Sequence, residues 1–241
     1  MPDLGLEVLW KGKNFARLLG GLWVALRISL IAALISVAAG ILLGVLASRK
    51  HSVFSAILQV WLGIIHIMPQ MVLLFLMYFG TTRAFGWNLS GETAAIIVFS
   101  LWGTAEMGDL VRGAVSSIPA IQRESAEALG LRPVQVFRFV ILPQAVRRLI
   151  PLSINLITRM IKTTSLITLI GVVEILKVAQ QIIEANRKAS PNAAFGVYLT
   201  VFVLYYLACR PLSLAAKHLE KHWGSLYVRR CSEYLTSDEA V

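Results

Sequence analysis

The sequence predicts an all-α membrane protein with five spans, and three observations carry that expectation. Of its 241 residues, 57% are hydrophobic and 15% charged, with a mean hydropathy of +0.71. Soluble domains hold about 45–50% apolar and about 25% charged residues, so the excess calls for burial in something other than a core, and lipid is the simplest candidate. The apolar residues also fall into runs of about 20. That is the length a helix rising about 1.5 Å per residue needs to cross a hydrocarbon layer of about 30 Å. Finally, the basic residues crowd into alternate connecting segments.

Lys+Arg 23 against Asp+Glu 13 gives a formal charge of +10. A nucleic-acid binder displays such charge on a water-soluble body, which this composition cannot build, so no nucleic-acid partner is expected. Basic loops held on the cytoplasmic side of a multi-span protein account for it instead. Cys209 and Cys231 have no metal-ligand spacing and cannot staple a fold.

Residues 1–19, with Asp3, Glu7, Lys11, Lys13 and Arg17, lack the layout of a signal peptide and read as an interfacial lead-in. The body of the protein is expected over 20–222. Ile28 to Ala47 is the first span. Val53 to Phe79 is the second, with only His66 titratable and with Pro69 offering a kink that a membrane helix tolerates. The third runs from Leu89 or Ser90 to about Val111, with Glu92 at its mouth and Glu106 and Asp109 near its far end. The fourth, about Leu149 to Val173, carries Arg159 and Lys162, which could instead mark a helix that breaks mid-membrane. Ala193 to Leu214 is the fifth, and 223–241 form a polar cytoplasmic tail.

Counting cations orients the chain. With the N-terminus outside, thirteen Lys and Arg fall inside, among them Arg49, Lys50, Arg229 and Arg230, against seven outside. The excess favours N-out and C-in.

In the first span Ala32, Ser36, Gly40, Gly44 and Ser48 recur every four residues. Such a ridge of small side chains lets helix backbones approach closely in lipid. It serves either packing within the bundle or a contact between subunits, and both readings stay open.

A loop of about 113–148, expected to be cytoplasmic, separates spans three and four. Gln122 to Leu129 is rich in helix formers, Gly130 supplies a left-handed stop, and Pro133 opens a second short helix over Val134 to Leu142. Glu124-Ser125-Ala126, three residues, Gly130, nine residues, then Val140-Ile141-Leu142-Pro143 resembles the signature loop of ATP-binding-cassette (ABC) importer permeases: E-A-A, three residues, G, nine residues, I-x-L-P. Leu142-Pro143-Gln144-Ala145, Pro151, Asn155, Lys162-Thr163-Thr164-Ser165-Leu166 and Ile170 to Leu176 are similar to its polar-amino-acid branch. The sequence departs from the branch at His66-Ile67-Met68-Pro69, where Arg-Gly-Thr-Pro is usual. Ile121 also replaces a Gly and Thr163 an Asp.

The resemblance implies a type I importer transmembrane domain in a bacterial inner membrane. Its implied partners are ABC ATPase subunits, a second permease subunit, identical or homologous, and an extracytoplasmic substrate-binding protein. It implies that Glu124, Ser125, Ala126, Gly130, Leu142 and Pro143 couple the chain to the ATPase. A polar amino acid of the histidine, glutamine or glutamate type, or a related small zwitterion, is the implied cargo.

Ionisable side chains at membrane depth cost about 2.5–3.5 kcal/mol. Glu106 and Asp109 share one helical face, as do Arg159 and Lys162, and antiparallel spans place the two pairs at similar depth. They either neutralise each other between helices or line the translocation path, together with His66. No phosphate-binding loop, HExxH or GxSxG occurs. Hydrolysis is therefore expected on a partner, with neither cofactor nor metal here. A membrane enzyme and a passive channel or secondary carrier are the rival classes. The first lacks a catalytic constellation, and the second has no use for a hinged cytoplasmic loop.

Overall fold

A computed structural model describes residues 5–47 and 53–238, with side chains described over 5–46 and 56–223. Asp3, Ser48, Arg49, Lys50 and His51 lie outside the described residues, as do the side chains of Arg229, Arg230 and Cys231. The elements in order are α1 (Glu7–Trp10), α2 (Asn14–Ala47), α3 (Val53–Ile67), α4 (Gln70–Phe75), a π-helical turn (Leu76–Gly80) and α5 (Thr81–Phe85). They continue with α6 (Gly91–Ser116), α7 (Ala120–Ala128), α8 (Pro133–Val136), a second π-helical turn (Phe137–Ile141) and α9 (Leu142–Thr163). A 3₁₀ segment (Thr164–Ile170), α10 (Ile175–Asn186) and α11 (Ala193–Asp238) complete the chain. Among the described residues, four unbroken helical stretches are long and apolar enough to cross a membrane, and the bent α3–α5 unit supplies a fifth when its arms count as one.

α6 is the axle. It is capped at Ser90, whose Oγ accepts from the Thr93 amide at 3.1 Å, and 72% of its most apolar stretch is buried inside the chain, against 22–39% for the other three. α2 lies along it through the small-residue ridge. A Cβ added to Gly40 would stand 2.4 Å from Met107 Cβ, and one on Gly44 2.7 Å from Val111 Cβ. Such backbone proximity adds dispersion contacts where lipid removes the hydrophobic drive between helices. The ridge therefore serves packing within this chain. Phe99, Trp102, Met107, Leu156 and Met160 fill the main core around it.

The first helix begins at Asn14, ahead of the expected Ile28, and α11 runs on past Leu214, but the second and fourth spans depart furthest from expectation. The second does not merely kink: α3 ends at Ile67, and the next arm leaves at 97°. Pro69 lacks an amide proton and disfavours helix at the residue before it, so the helix stops instead of bending through. The fourth starts well before Leu149. From Pro133 to Ile170 the chain is helical throughout, so the separate short helix expected over Val134 to Leu142 is the root of the span. Arg159 and Lys162 sit inside α9, and the tightening begins after them, ending at Gly171 with φ +85°.

A second core joins α1, α10 and the start of α11 to the upper half of α2, through Val8, Leu18, Ile175, Ile182 and Val197. At its edge Glu174 is wholly buried. Its Oε1 accepts from the amides of Leu176 at 2.8 Å and Lys177 at 3.1 Å and from Thr168 Oγ1, and its Oε2 accepts from Tyr205 Oη at 3.3 Å. One carboxylate thus caps α10 and ties it to the 3₁₀ segment and to α11. Burial pushes this carboxyl above the ordinary value of 4.5, against the pull of its four donors.

Candidate functional site

The loop after α6 is a braced helical hairpin. α7 closes in a Schellman motif: the Leu131 amide donates to the Ala126 carbonyl at 3.2 Å and the Gly130 amide to that of Glu127 at 2.9 Å, with Gly130 at φ +80°. Pro133 opens α8, where a missing amide proton costs nothing. Ala126 packs inward on Val136 and Ile141. Gln144 Nε2 donates to Gln122 Oε1 at 2.5 Å, and Arg148 donates to the Ser117 carbonyl at 3.0 Å, so α9 holds both ends of the hairpin.

What this brace presents outward is unusual for a polar loop. Ile121, Leu129 and Val134 are 64%, 81% and 75% exposed, beside exposed Glu124 and Ser125. Among the described residues Glu124 has no ion-pair partner. Leu142 and Pro143 lie at the root of α9, also exposed. The residues named from the signature thus divide. Ala126 and Gly130 shape the hairpin, while Glu124, Ser125, Leu142 and Pro143 are open at its surface.

The intramembrane residues gather around α6. Arg159 grips Glu106 with both nitrogens, at 2.9 and 3.4 Å, and its guanidinium lies 5.4 Å from the ring centre of Trp102. Glu106 is only 12% exposed, so this paired geometry is what makes its burial tolerable. Asp109 turns to Arg112 on its own helix at 3.1 Å. His66 Nδ1, at the end of α3, stands 3.7 Å from Glu106 and 3.8 Å from Asp109. Lys162 does not join them: it is exposed, and among the described residues no carboxylate lies within ion-pair reach of it. Trp102 and Arg112 were not singled out from sequence, although Trp102 lies one turn before Glu106 on the same helical face. Glu174 appeared there only within a matching stretch, and nothing in the pattern announced its four donors.

The model of the family described as "Binding-protein-dependent transport system inner membrane component" matches residues 36–224. The chain belongs to that family. Among curated relatives, the probable glutamine ABC transporter permease of Bacillus subtilis is 29% identical over 208 residues, spanning 86% of this chain and 94% of its own. The glutamine transport permease of Escherichia coli K12 is 30% identical over 200 residues, 81% and 89% of the two chains. The nopaline transport permease of Agrobacterium fabrum is 28% identical over 220 residues, 87% and 90%. Of solved structures, an amino acid ABC transporter with histidines superposes with a TM-score of 0.80 at 22% identity, covering 87% of this chain and 95% of that one. An inward-facing methionine ABC transporter gives 0.65 at 19%, covering 85% and 97%. These likenesses establish the type I importer fold. The protein is a membrane permease subunit of an ABC importer, and ATP hydrolysis resides in a separate ATPase. Family members act with a substrate-binding protein.

Proposed function

We propose that the chain pairs with a second permease chain, identical or homologous, to carry a polar amino acid or a related small zwitterion inward across the bacterial inner membrane. The N-terminus lies outside and the C-terminus inside. The division into lead-in (1–19), transmembrane body (20–222) and cytoplasmic tail (223–241) belongs to the same reading. Glutamine and nopaline permeases among the relatives support the cargo class.

The observation that carries the coupling role is the hairpin: an apolar face held open in water around an uncompensated carboxylate. Exposed apolar groups rimmed by charge mark a protein interface. Glu124 meets a basic residue of the ATPase and sets register, while Ile121, Leu129 and Val134 supply the buried contact. Gly130 fixes the angle between α7 and the span, so that closure of the ATPase pair tilts α9.

Within the membrane, Glu106 and Arg159 neutralise each other and tie α6 to α9. Lys162 is the cation left to receive a substrate carboxylate, and Asp109 is the carboxylate that would receive its amine. A cysteine at Glu124 should crosslink to the ATPase in the assembled complex. Capture of the binding protein instead would place this hairpin outside the cell and overturn the reading.

A further inference from the structure

A cleft of about 570 Å³ opens along the outside of the bundle. α2 forms one wall from Leu30 to Ile41, α9 the other from Val146 to Ile157, and Met107 of α6 reaches its floor. Its single hydroxyl, on Ser153, already donates to the Leu149 carbonyl at 2.8 Å, so the lining asks nothing polar of an occupant. Water gains no partners there, and hydrocarbon does.

Length and charge narrow the occupant. From Val146 to Ile157 the cleft runs about 16 Å at about 1.5 Å per residue, close to half of an apolar layer of about 30 Å. That is about the length of one leaflet. At the Val146 end stands Arg147, exposed, three residues before Ile150 and seven before Ile154, both of which line the cleft. That spacing puts it on their helical face. Its neighbour Arg148 is engaged with Ser117, whereas no hydrogen bond or ion pair of the Arg147 side chain occurs among the described residues.

We propose that this cleft is a lipid site: one acyl tail of an anionic phospholipid lies between α2 and α9, and Arg147 holds its phosphate. The leaflet is the one at the basic end of the bundle. The site stands independently of the cargo and of the ATPase contact proposed above. Guanidinium suits phosphate through paired hydrogen bonds, and the dry lining suits the tail.

The test uses the full-length chain purified with its ATPase from nanodiscs of equal dioleoylphosphatidylglycerol and dioleoylphosphatidylethanolamine, with retained lipid counted by native mass spectrometry. Wild type should keep phosphatidylglycerol over phosphatidylethanolamine by about fivefold. Arg147→Gln should lose that preference, and Ala38→Phe, which fills the cleft from an exposed position, should release both lipids with subunit stoichiometry intact. Unchanged preference in Arg147→Gln, or lipid retained by Ala38→Phe, would overturn the proposal. So would loss of a second permease chain from Ala38→Phe, because the cleft would then be a subunit interface.

Discussion

Gly103 of α6 faces Ser36 of α2 so closely that a methyl group on Gly103 would lie 2.3 Å from the serine Oγ. That hydroxyl is held by the Ala32 carbonyl at 2.7 Å and lies 3.3–3.4 Å from the carbonyls of Ser100 and Phe99, so it cannot step aside cheaply. Gly103→Ala should cost about 1–3 kcal/mol through overpacking. Gly113→Ala, on the same helix with nothing within 4 Å, should be neutral or stabilising by up to about 1 kcal/mol. Thermal unfolding of the purified chain compares the two, and equal effects would remove the close approach from the account.

Arg159 and Glu106 pair through two hydrogen bonds between α9 and α6. Removing Arg159 alone strands a nearly buried carboxylate, while removing both leaves no charge to desolvate. A double-mutant cycle with Arg159→Met and Glu106→Gln should return a coupling of about 1–2 kcal/mol, on the low side because Arg159 is half exposed. Additive effects would separate the two helices energetically.

Lys162→Met should reduce ATP-dependent uptake at least tenfold, about 1.4 kcal/mol or more, while the chain still copurifies with its ATPase. Loss of assembly would make Lys162 a packing residue instead.

Gly130→Val forces a branched side chain into φ +80°, at a cost of about 1–2 kcal/mol. Transport should fall more than membrane insertion, since only the hairpin angle changes. Protease sensitivity of the hairpin in intact and inverted vesicles checks both the strain and the side on which it lies.

Glu174 supplies a pH test. Its folded carboxyl titrates above the ordinary 4.5 because it is buried. Across the window above 4.5 the folded chain holds a proton that the unfolded chain has released, so stability falls as pH rises. Glu174→Gln removes that slope, and its melting temperature should gain on wild type from pH 4.5 upward. A constant gap would refute the burial argument. Glu174→Ala should cost about 3 kcal/mol near pH 4.5 by uncapping α10 and orphaning Thr168 and Tyr205, and the gap should narrow as pH rises.

Most of the hairpin was legible in the sequence because turns are local. Gly130 and Pro133 leave their neighbours few conformations, and the Schellman closure follows within six residues. The second span was less legible. Proline states that a helix must yield, but whether it bends or stops depends on what the far arm packs against, and here Leu74 of that arm joins the main core. Glu174 illustrates the same limit, since its donors come from Thr168, two amides and Tyr205 on a different helix.

By itself the sequence determined that the chain lives in lipid, roughly where it crosses, and which loop folds as a hinged hairpin, because hydropathy and turn chemistry act over a few residues. Only the tertiary structure decided which face meets which. It assigned the ridge of Ala32, Ser36 and Gly40 to α6, matched Arg159 with Glu106, and, among the described residues, left Lys162 without a carboxylate in ion-pair reach. Such choices depend on the rotation and depth of one helix against another, and a charge or a small side chain carries no record of either until the helices are packed.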